Sequence, residues 1–220
     1  MQRILDIFLA SLALLVLAPL LLTIMIILRI TGEGEVFYRQ QRVGKDGKRF
    51  GLLKFVTMVK NSANIGAGTI TLKNDPRVLP IGRVLRKTKL NELPQLVNIL
   101  TGDMSVVGPR PQEQRCFDAF PKYVQKEIVK VRPGLSGIGS IIFRDEESML
   151  HSAQNHAEFY DRVIAPYKGA LENWYIRNQG LKNYFLLIFM TAWVIIFPKS
   201  RITWKAFAGL PAPPVELAGI

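Results

Sequence analysis

Cysteine is nearly absent from this chain. Cys116 is alone among 220 residues, so no internal disulfide can form and the sequence suits a reducing compartment, with Cys116 read as a small packed residue. Histidine is almost as scarce: His151 and His156 are the whole complement, and without a cysteine pair they do not make a zinc site. The phosphate-cradling pattern G-x-x-x-x-G-K-[S/T] is missing, and "GIGS" is too short a glycine signal to indicate a dinucleotide. No internal repeat is visible. Acidic residues are in deficit, 17 against 29 Lys and Arg, which leaves a net charge of +12 and a pI near 10.0. Such a surface attracts phosphate-rich partners: nucleic acid, anionic lipid or nucleotide-linked substrates. Because the basic residues accompany no aromatic RNA-binding motif, nucleic acid is the weakest of the three.

What the chain has in excess is apolar sequence. Hydrophobic residues make up 49%, and the mean hydropathy of +0.17 is high for so basic a protein, so part of this content belongs in lipid. Residues 7–28 carry no charge and are long enough to cross a hydrocarbon core of about 30 Å. Asp6 in the leading segment and the lack of an A-x-A site argue against a cleaved signal. Pro19 removes a backbone hydrogen bond mid-run and predicts a kink at Ala18-Pro19. A kinked span and a re-entrant hairpin both fit; Arg3 and Arg29 on the two flanks agree with two cytoplasmic ends without deciding between them. A second apolar run, 184–197, is short for a span. The basic and aromatic segment after it, with Lys199, Arg201, Trp204, Lys205 and Phe207, reads as a helix at headgroup level, and the Pro-rich end as a loose tail.

Between these ends lies a compact mixed α+β domain, rich in helix. A strand over 36–40, the turn signal Asp46-Gly47 and a returning strand carrying Lys54 predict a small hairpin. Residues 61–76 read as a polar loop. Leu85, Leu90, Leu93, Leu96, Val97 and Leu100 outline a helix interrupted near 89–94, where Glu92 and Pro94 suit a helix start. Gly102 closes that helix, Pro109 and Pro111 enforce an extended turn around Arg110, 123–131 is an amphipathic helix, and "RPGLSGIGS" is a glycine-rich loop. "RDEE", with Arg144, Asp145, Glu146 and Glu147, is a solvated charge run unless its carboxylates hold a divalent ion.

The ordered segments "YRQQRVG", "KFVTM", "NDPRV", "IGRVLRKTKLNELPQLVNILTGDMSVVGPRP" and "VRPGLSG", following a Pro-containing apolar helix, resemble the bacterial sugar transferases of the monotopic phosphoglycosyl transferase superfamily. The resemblance covers about residues 3–197. It implies an enzyme at the cytoplasmic face of the bacterial inner membrane that moves a phospho-sugar from a UDP-sugar to polyprenyl phosphate and releases UMP, with magnesium. It also implies that the apolar helix is re-entrant and broken at Pro19, although the family's Ser-Pro pair is Ala18-Pro19 here. The layout that follows is a re-entrant helix (1–30), a catalytic domain (31–197) and an interfacial segment with a Pro-rich tail (198–220). A homodimer is compatible with it.

By the same resemblance Lys54 and Arg110 bind phosphate oxygens, with Arg86, Arg144 and Pro111 at the substrate. Glu92 holds the metal, joined by Glu172, where a further family aspartate falls after an inserted stretch at 140–160. The sugar pocket falls in 61–73 and in that insertion. One departure concerns the chemistry. The family's Asp-Glu pair, whose aspartate is the covalent nucleophile, reads Asn91-Glu92, and an amide cannot form an acyl-phosphate. Four explanations follow: Glu92 attacks instead, with Glu172 or residues 145–147 on the metal; the acceptor phosphate attacks directly; the chain carries an introduced Asp-to-Asn trap; or it is an inactive membrane scaffold. Taken alone, Lys54 and Arg110 would read as ordinary surface bases.

Overall fold

The computed structural model describes residues 1–31, 33–64, 75–151, 155–197, 200 and 202–217. The apolar N-terminal run is one helix, α1 (Gln2–Thr31). It is long and apolar enough to cross a membrane by length and composition. Helical structure continues through Pro19, so the break expected there is not a change of secondary structure. A proline costs a helix one hydrogen bond and some crowding, and the turns resume beyond it; Thr23 Oγ1 donates back to the Pro19 carbonyl at 2.9 Å.

A stripe of α1 packs on the rest of the chain along its length. Ala10 joins Leu52, Leu96, Ile99 and Met104, while Ile24 and Leu28 join Phe55 and Leu85. Near the start of the helix Asp6 is buried, accepting hydrogen bonds from Ser105 Oγ, the Val106 N–H and the Tyr184 hydroxyl. The opposite face presents Phe8, Leu12, Leu15, Val16, Leu22 and Ile26 outward.

The predicted hairpin is β1 (Phe37–Val43) against β2 (Arg49–Phe55), antiparallel, with Tyr38 opposite Lys54. Its turn uses left-handed backbone at Asp46 (φ 58°) and Gly47 (φ 70°), the pair of conformations that matches the strands' twist. Then α2 (Pro80–Lys87) ends, Lys89 takes a left-handed φ of 60°, a single tight turn covers Leu90–Glu92, and α3 (Gln95–Thr101) closes at Gly102 with φ 95°. The interruption expected at 89–94 is therefore present. It separates the two helices so that Glu92 sits on the turn between them.

The remaining elements are β3 (Ser105–Val107), α4 (Gln114–Asp118), α5 (Lys122–Ile128), β4 (Gly134–Ser136), α6 (Ile138–Ile142), α7 (Glu146–His151), α8 (His156–Phe159), α9 (Ala165–Arg177), α10 (Leu181–Ile196) and α11 (Ile202–Ala206). A π-helical turn, Tyr160–Ile164, joins α8 to α9. The main core packs α5, α6, α9 and α10 around Val124, Ile138, Leu171 and Leu187. Cys116 is half-buried against it, as a packed residue should be.

Two expectations are corrected here. "RPGLSGIGS" is not a loop: it forms β4, which pairs in parallel with β3, and then α6. Its glycines serve close approach, since a Cβ at Gly134 would collide with the backbone of Gly108. Nor is the C-terminal segment loose among the described residues. Phe207 and Leu217 are buried in the main core, Phe207 meets Trp174 edge-on at 5.7 Å, and the Tyr167 hydroxyl donates to Pro211 O at 3.0 Å. Ile202 and Lys205 are the residues α11 turns outward, because aromatic burial in protein offers more contact area than a wet surface.

Candidate active site

Three chain segments bring the predicted residues together. β2 carries Lys54, and its outer edge is held by Asn98 of α3, whose Oδ1 accepts from the Leu53 N–H at 2.9 Å and whose Nδ2 donates to Gly51 O at 3.0 Å. An edge strand that would otherwise leave its peptide groups unpaired is thereby fixed to the helix that follows Glu92. Arg110 extends from the turn after β3. Gly108 N–H donates to Ser136 O, Gly134 N–H to Pro109 O, and Arg110 N–H to Glu172 Oε1 at 3.1 Å, so this turn is pinned from three sides.

At the centre, Arg110 forks onto Glu92, at 2.8 Å to Oε1 and 3.4 Å to Oε2. Lys54 and Arg42 stand beside this pair, both donating to Gln40 Oε1, at 3.2 and 2.6 Å. Gln40 in turn donates to Glu113, which lies 3.5 Å from Arg42. Arg86 adds a further positive charge near Lys54. Burial alone would raise the Glu92 carboxyl, yet Arg110 and Lys54, with Lys89 behind them, outweigh it and hold Glu92 well below the usual carboxylate range. Burial pushes the Lys54 ammonium down to about 7: the neighbouring cations add to that effect, and Glu92 only partly offsets it. Burial likewise lowers Arg42. The result is a half-enclosed cationic bay around one fixed anion.

Asn91 is buried beside Glu92, and its Oδ1 has no hydrogen-bond partner. Pro111 is buried behind Arg110. Glu172 lies on α9, fully buried against Gly139, where a Cβ would strike its carboxylate. Burial raises its carboxyl to about 7, against the Arg110 N–H bond and the charges of Lys168 and Arg110, and its Oε2 has no partner. The structure thus places Glu172 on the backbone end of Arg110, away from the fork with Glu92. Arg144 stands between α6 and α7 with one buried, unpartnered nitrogen, and among the described residues no hydrogen bond ties it to Glu92, Lys54 or Arg110. In the acidic run Glu146 pairs with the buried Lys168 at 2.7 Å, Asp145 accepts from Ser148, and the Glu147 side chain is outside the described residues. Among the described residues no three His, Cys, Asp or Glu side chains cluster as a ready-made metal site. His156 is half-buried, and the side chain of His151 lies outside the described residues. Of the expected sugar pocket, 65–73 and 152–154 also lie outside them; the described part of the insertion is short helices joined by a turn at 143–145.

Sequence reasoning missed Arg42, Gln40 and Asn98. Alternation along β1 could have found the first two, since Tyr38, Gln40 and Arg42 share a face with Lys54 across the ladder.

Residues 1–198 match the family described as bacterial sugar transferase, and the chain belongs to that family. It is 35% identical over 207 residues to the exopolysaccharide production protein ExoY of Rhizobium meliloti, covering 86% of this chain and 83% of that protein. It is 38% identical over 162 residues to the UDP-glucose:undecaprenyl-phosphate glucose-1-phosphate transferase of Escherichia coli, covering 72% of this chain and 35% of that protein. To the undecaprenyl-phosphate galactose phosphotransferase of Salmonella typhimurium it is 32% identical over 215 residues, covering 89% and 40%. The chain therefore spans less than half the length of the latter two. Family membership makes it a transferase, as the resemblance implies.

Proposed function

We propose that this transferase moves a phospho-sugar from a UDP-sugar to polyprenyl phosphate and releases UMP, at the cytoplasmic face of a bacterial membrane. The observation that carries the reading is the convergence of Lys54, Arg42 and Arg110 on Glu92 beside the apolar helix α1. A pyrophosphate needs its negative charge matched by fixed cations before a second anion can approach. A lipid-borne acceptor needs the site at headgroup level. The names of the Escherichia coli and Salmonella relatives, both undecaprenyl-phosphate transferases, support the same reaction.

Both ends of α1 rest on one domain: Gln2 donates to Ser105 Oγ and Arg3 to Ile99 O near its start, and Leu28 packs with Phe55 and Leu85 near its end. This supports a re-entrant helix entering and leaving on the same side, with Pro19 near its deepest point, over a simple span.

The residues fit magnesium through Glu92, a carboxylate held ionised among cations, with the unpartnered Asn91 Oδ1 next to it; magnesium is commonly held by one or two carboxylates and substrate phosphates. When bound it would supply further neutralisation of pyrophosphate charge. Glu172 is less suited, since it is buried and partly protonated near neutral pH.

For the chemical step, Glu92 is committed to Arg110 and strongly stabilised as an anion, which makes it a weak nucleophile, and Asn91 is not one. The acceptor phosphate is already an anion. Its oxygen forms a bond to the sugar-bearing phosphorus as the bond from that phosphorus to the bridging oxygen breaks, and UMP leaves with the electron pair. Lys54, Arg42 and Arg110 hold the phosphate oxygens in line.

The test is UMP release from a panel of UDP-sugars with magnesium, with and without undecaprenyl phosphate. Acceptor-dependent UMP that survives Asn91→Ala supports direct transfer. The neutral Asn91 favours a second reading, an inactive membrane scaffold, which predicts no UMP from any sugar until Asn91→Asp restores it.

A further inference from the structure

A second cationic hollow lies away from Glu92. It is a cleft of about 200 Å³ bounded by the first turns of α1, the hairpin turn and residues 130–132, with Arg3, Lys45, Lys130 and Arg132 in its wall. Four of its eleven lining residues are Lys or Arg, against 29 of 220 in the chain, so the general basicity of the protein does not account for it. Lys45 lies just beyond the pairing of Val43 with Arg49, five residues along the ladder from Lys54, which at the rise of a strand is about 17 Å. The cleft and the Glu92 bay are different places.

These cations are not all occupied. Arg3 donates to Ile99 O at 2.5 Å and Leu100 O at 3.0 Å, and Arg132 Nε donates to Gly102 O at 2.8 Å. Both guanidinium groups are thus held rigidly at the end of α3. The two terminal nitrogens of Arg132 and the ammonium of Lys45 have no partner among the described residues, while Lys130 pairs with Glu127 at 2.6 Å. Asp6 is the one carboxylate in the wall, and its oxygens are already taken by Ser105, Val106 and Tyr184. One carboxylate against four Lys and Arg still leaves the wall basic. Gln2 and the Tyr175 hydroxyl add polar groups to the lining, so a ligand there would meet hydrogen-bonding surface as well as charge.

We propose that this cleft binds a phosphate group, either free or as the headgroup of a lipid, at a site separate from the transfer chemistry. A tetrahedral anion suits the preoriented guanidinium fork of Arg132 with a lysine beside it. Once bound, it would join the start of α1, the hairpin turn and the strand-leading segment before β4, three pieces of chain distant in sequence. The inference is independent of what Glu92 does.

The experiment is thermal unfolding of the full chain in detergent at fixed ionic strength, titrated with inorganic phosphate, dihexanoyl phosphatidate or dihexanoyl phosphatidylcholine. The expected result is a rise in Tm with phosphate or phosphatidate whose midpoint moves at least about tenfold higher in Lys45→Gln/Lys130→Gln, a double change at exposed positions, and is retained in Lys54→Gln. Phosphatidate acting at much lower concentration than phosphate assigns the site to a lipid headgroup; equal potency assigns it to free phosphate. A shift abolished by Lys54→Gln and untouched by the double variant places the anion in the Glu92 bay and overturns the proposal. So does the absence of any shift, or an equal response to phosphatidylcholine, which would report acyl chains alone.

Discussion

At the side-chain end of Arg110, Glu92 faces a bay of cations and is held ionised far below the usual carboxylate range; at the backbone end of the same residue, Glu172 is sealed among Gly139, Lys168 and the Arg110 N–H, and burial pushes its carboxyl up to about 7. Both carboxylates are withdrawn from water, and desolvation is the largest single effect on each. What differs is the company. Glu92 has a guanidinium fork and a lysine close enough to reverse the desolvation, whereas Glu172 has one peptide N–H and an unpartnered oxygen. The difference teaches that position on a motif does not assign a role. A carboxylate kept charged can hold cations, and one whose oxygen accepts a peptide N–H can hold a backbone turn in either protonation state.

The sharpest way to break this contrast is to neutralise each carboxylate in turn. Glu92→Gln should lower kcat/KM for UMP release about a thousandfold, because the Arg110 fork loses its charged partner and the bay its central anion, whereas Glu172→Gln should cost less than about tenfold. Equal losses would mean that Glu172 also touches substrate or metal.

The next effect is on stability. A carboxyl raised to about 7 in the folded protein binds a proton there that the unfolded chain has already released, so folding should weaken as pH rises from about 4.5 to 7. Relative to wild type, Glu172→Gln should be unaffected by that penalty and gain on the order of 3 kcal/mol above pH 7, with the gap closing below pH 5. Denaturant melts at pH 5 and pH 8 measure it, and a gap independent of pH would contradict the raised carboxyl.

A smaller effect sharpens the other end. Lys54, lowered to about 7, must be protonated to meet a phosphate, so UDP should bind with proton uptake above pH 7 and lose up to about fifteenfold in affinity between pH 7 and 8.5. Calorimetry in buffers of differing ionisation heat reads the uptake directly. Lys54→Arg should flatten the profile; an unchanged profile would place the titrating group elsewhere.

Much of this arrangement was legible beforehand, and the reasons are local. Asp46-Gly47 encodes a left-handed turn in two letters, and the sequence from Lys89 to Pro94 encodes a helix break through its proline and the spacing of its leucines. Lys54, Glu92 and Arg110 were found by their place in motifs and do converge. Asn98 was not found, because a helix pattern treats an amide as merely polar and cannot show it clamping a strand edge. The glycines of "RPGLSGIGS" misled for the opposite reason: their local freedom reads as loop, while their use is the tight contact of Gly134 with Gly108, a partner distant in sequence. Phe207 and Leu217 were assigned to the surface by their basic and proline-rich neighbours, and only the hollow beside Trp174 and Tyr167 explains their burial.

Asp6, Ala10, Ile24 and Leu28 give the apolar helix a duty beyond lipid. An anchor joined by a linker can be exchanged for another or cut away to leave a working soluble half. Here the segment that would enter the bilayer also completes the wall behind the hairpin, so shortening the chain to make it tractable would strip the interior it was meant to preserve. Evolution inherits the same restriction: a helix whose side chains fill the interior cannot readily be traded for another.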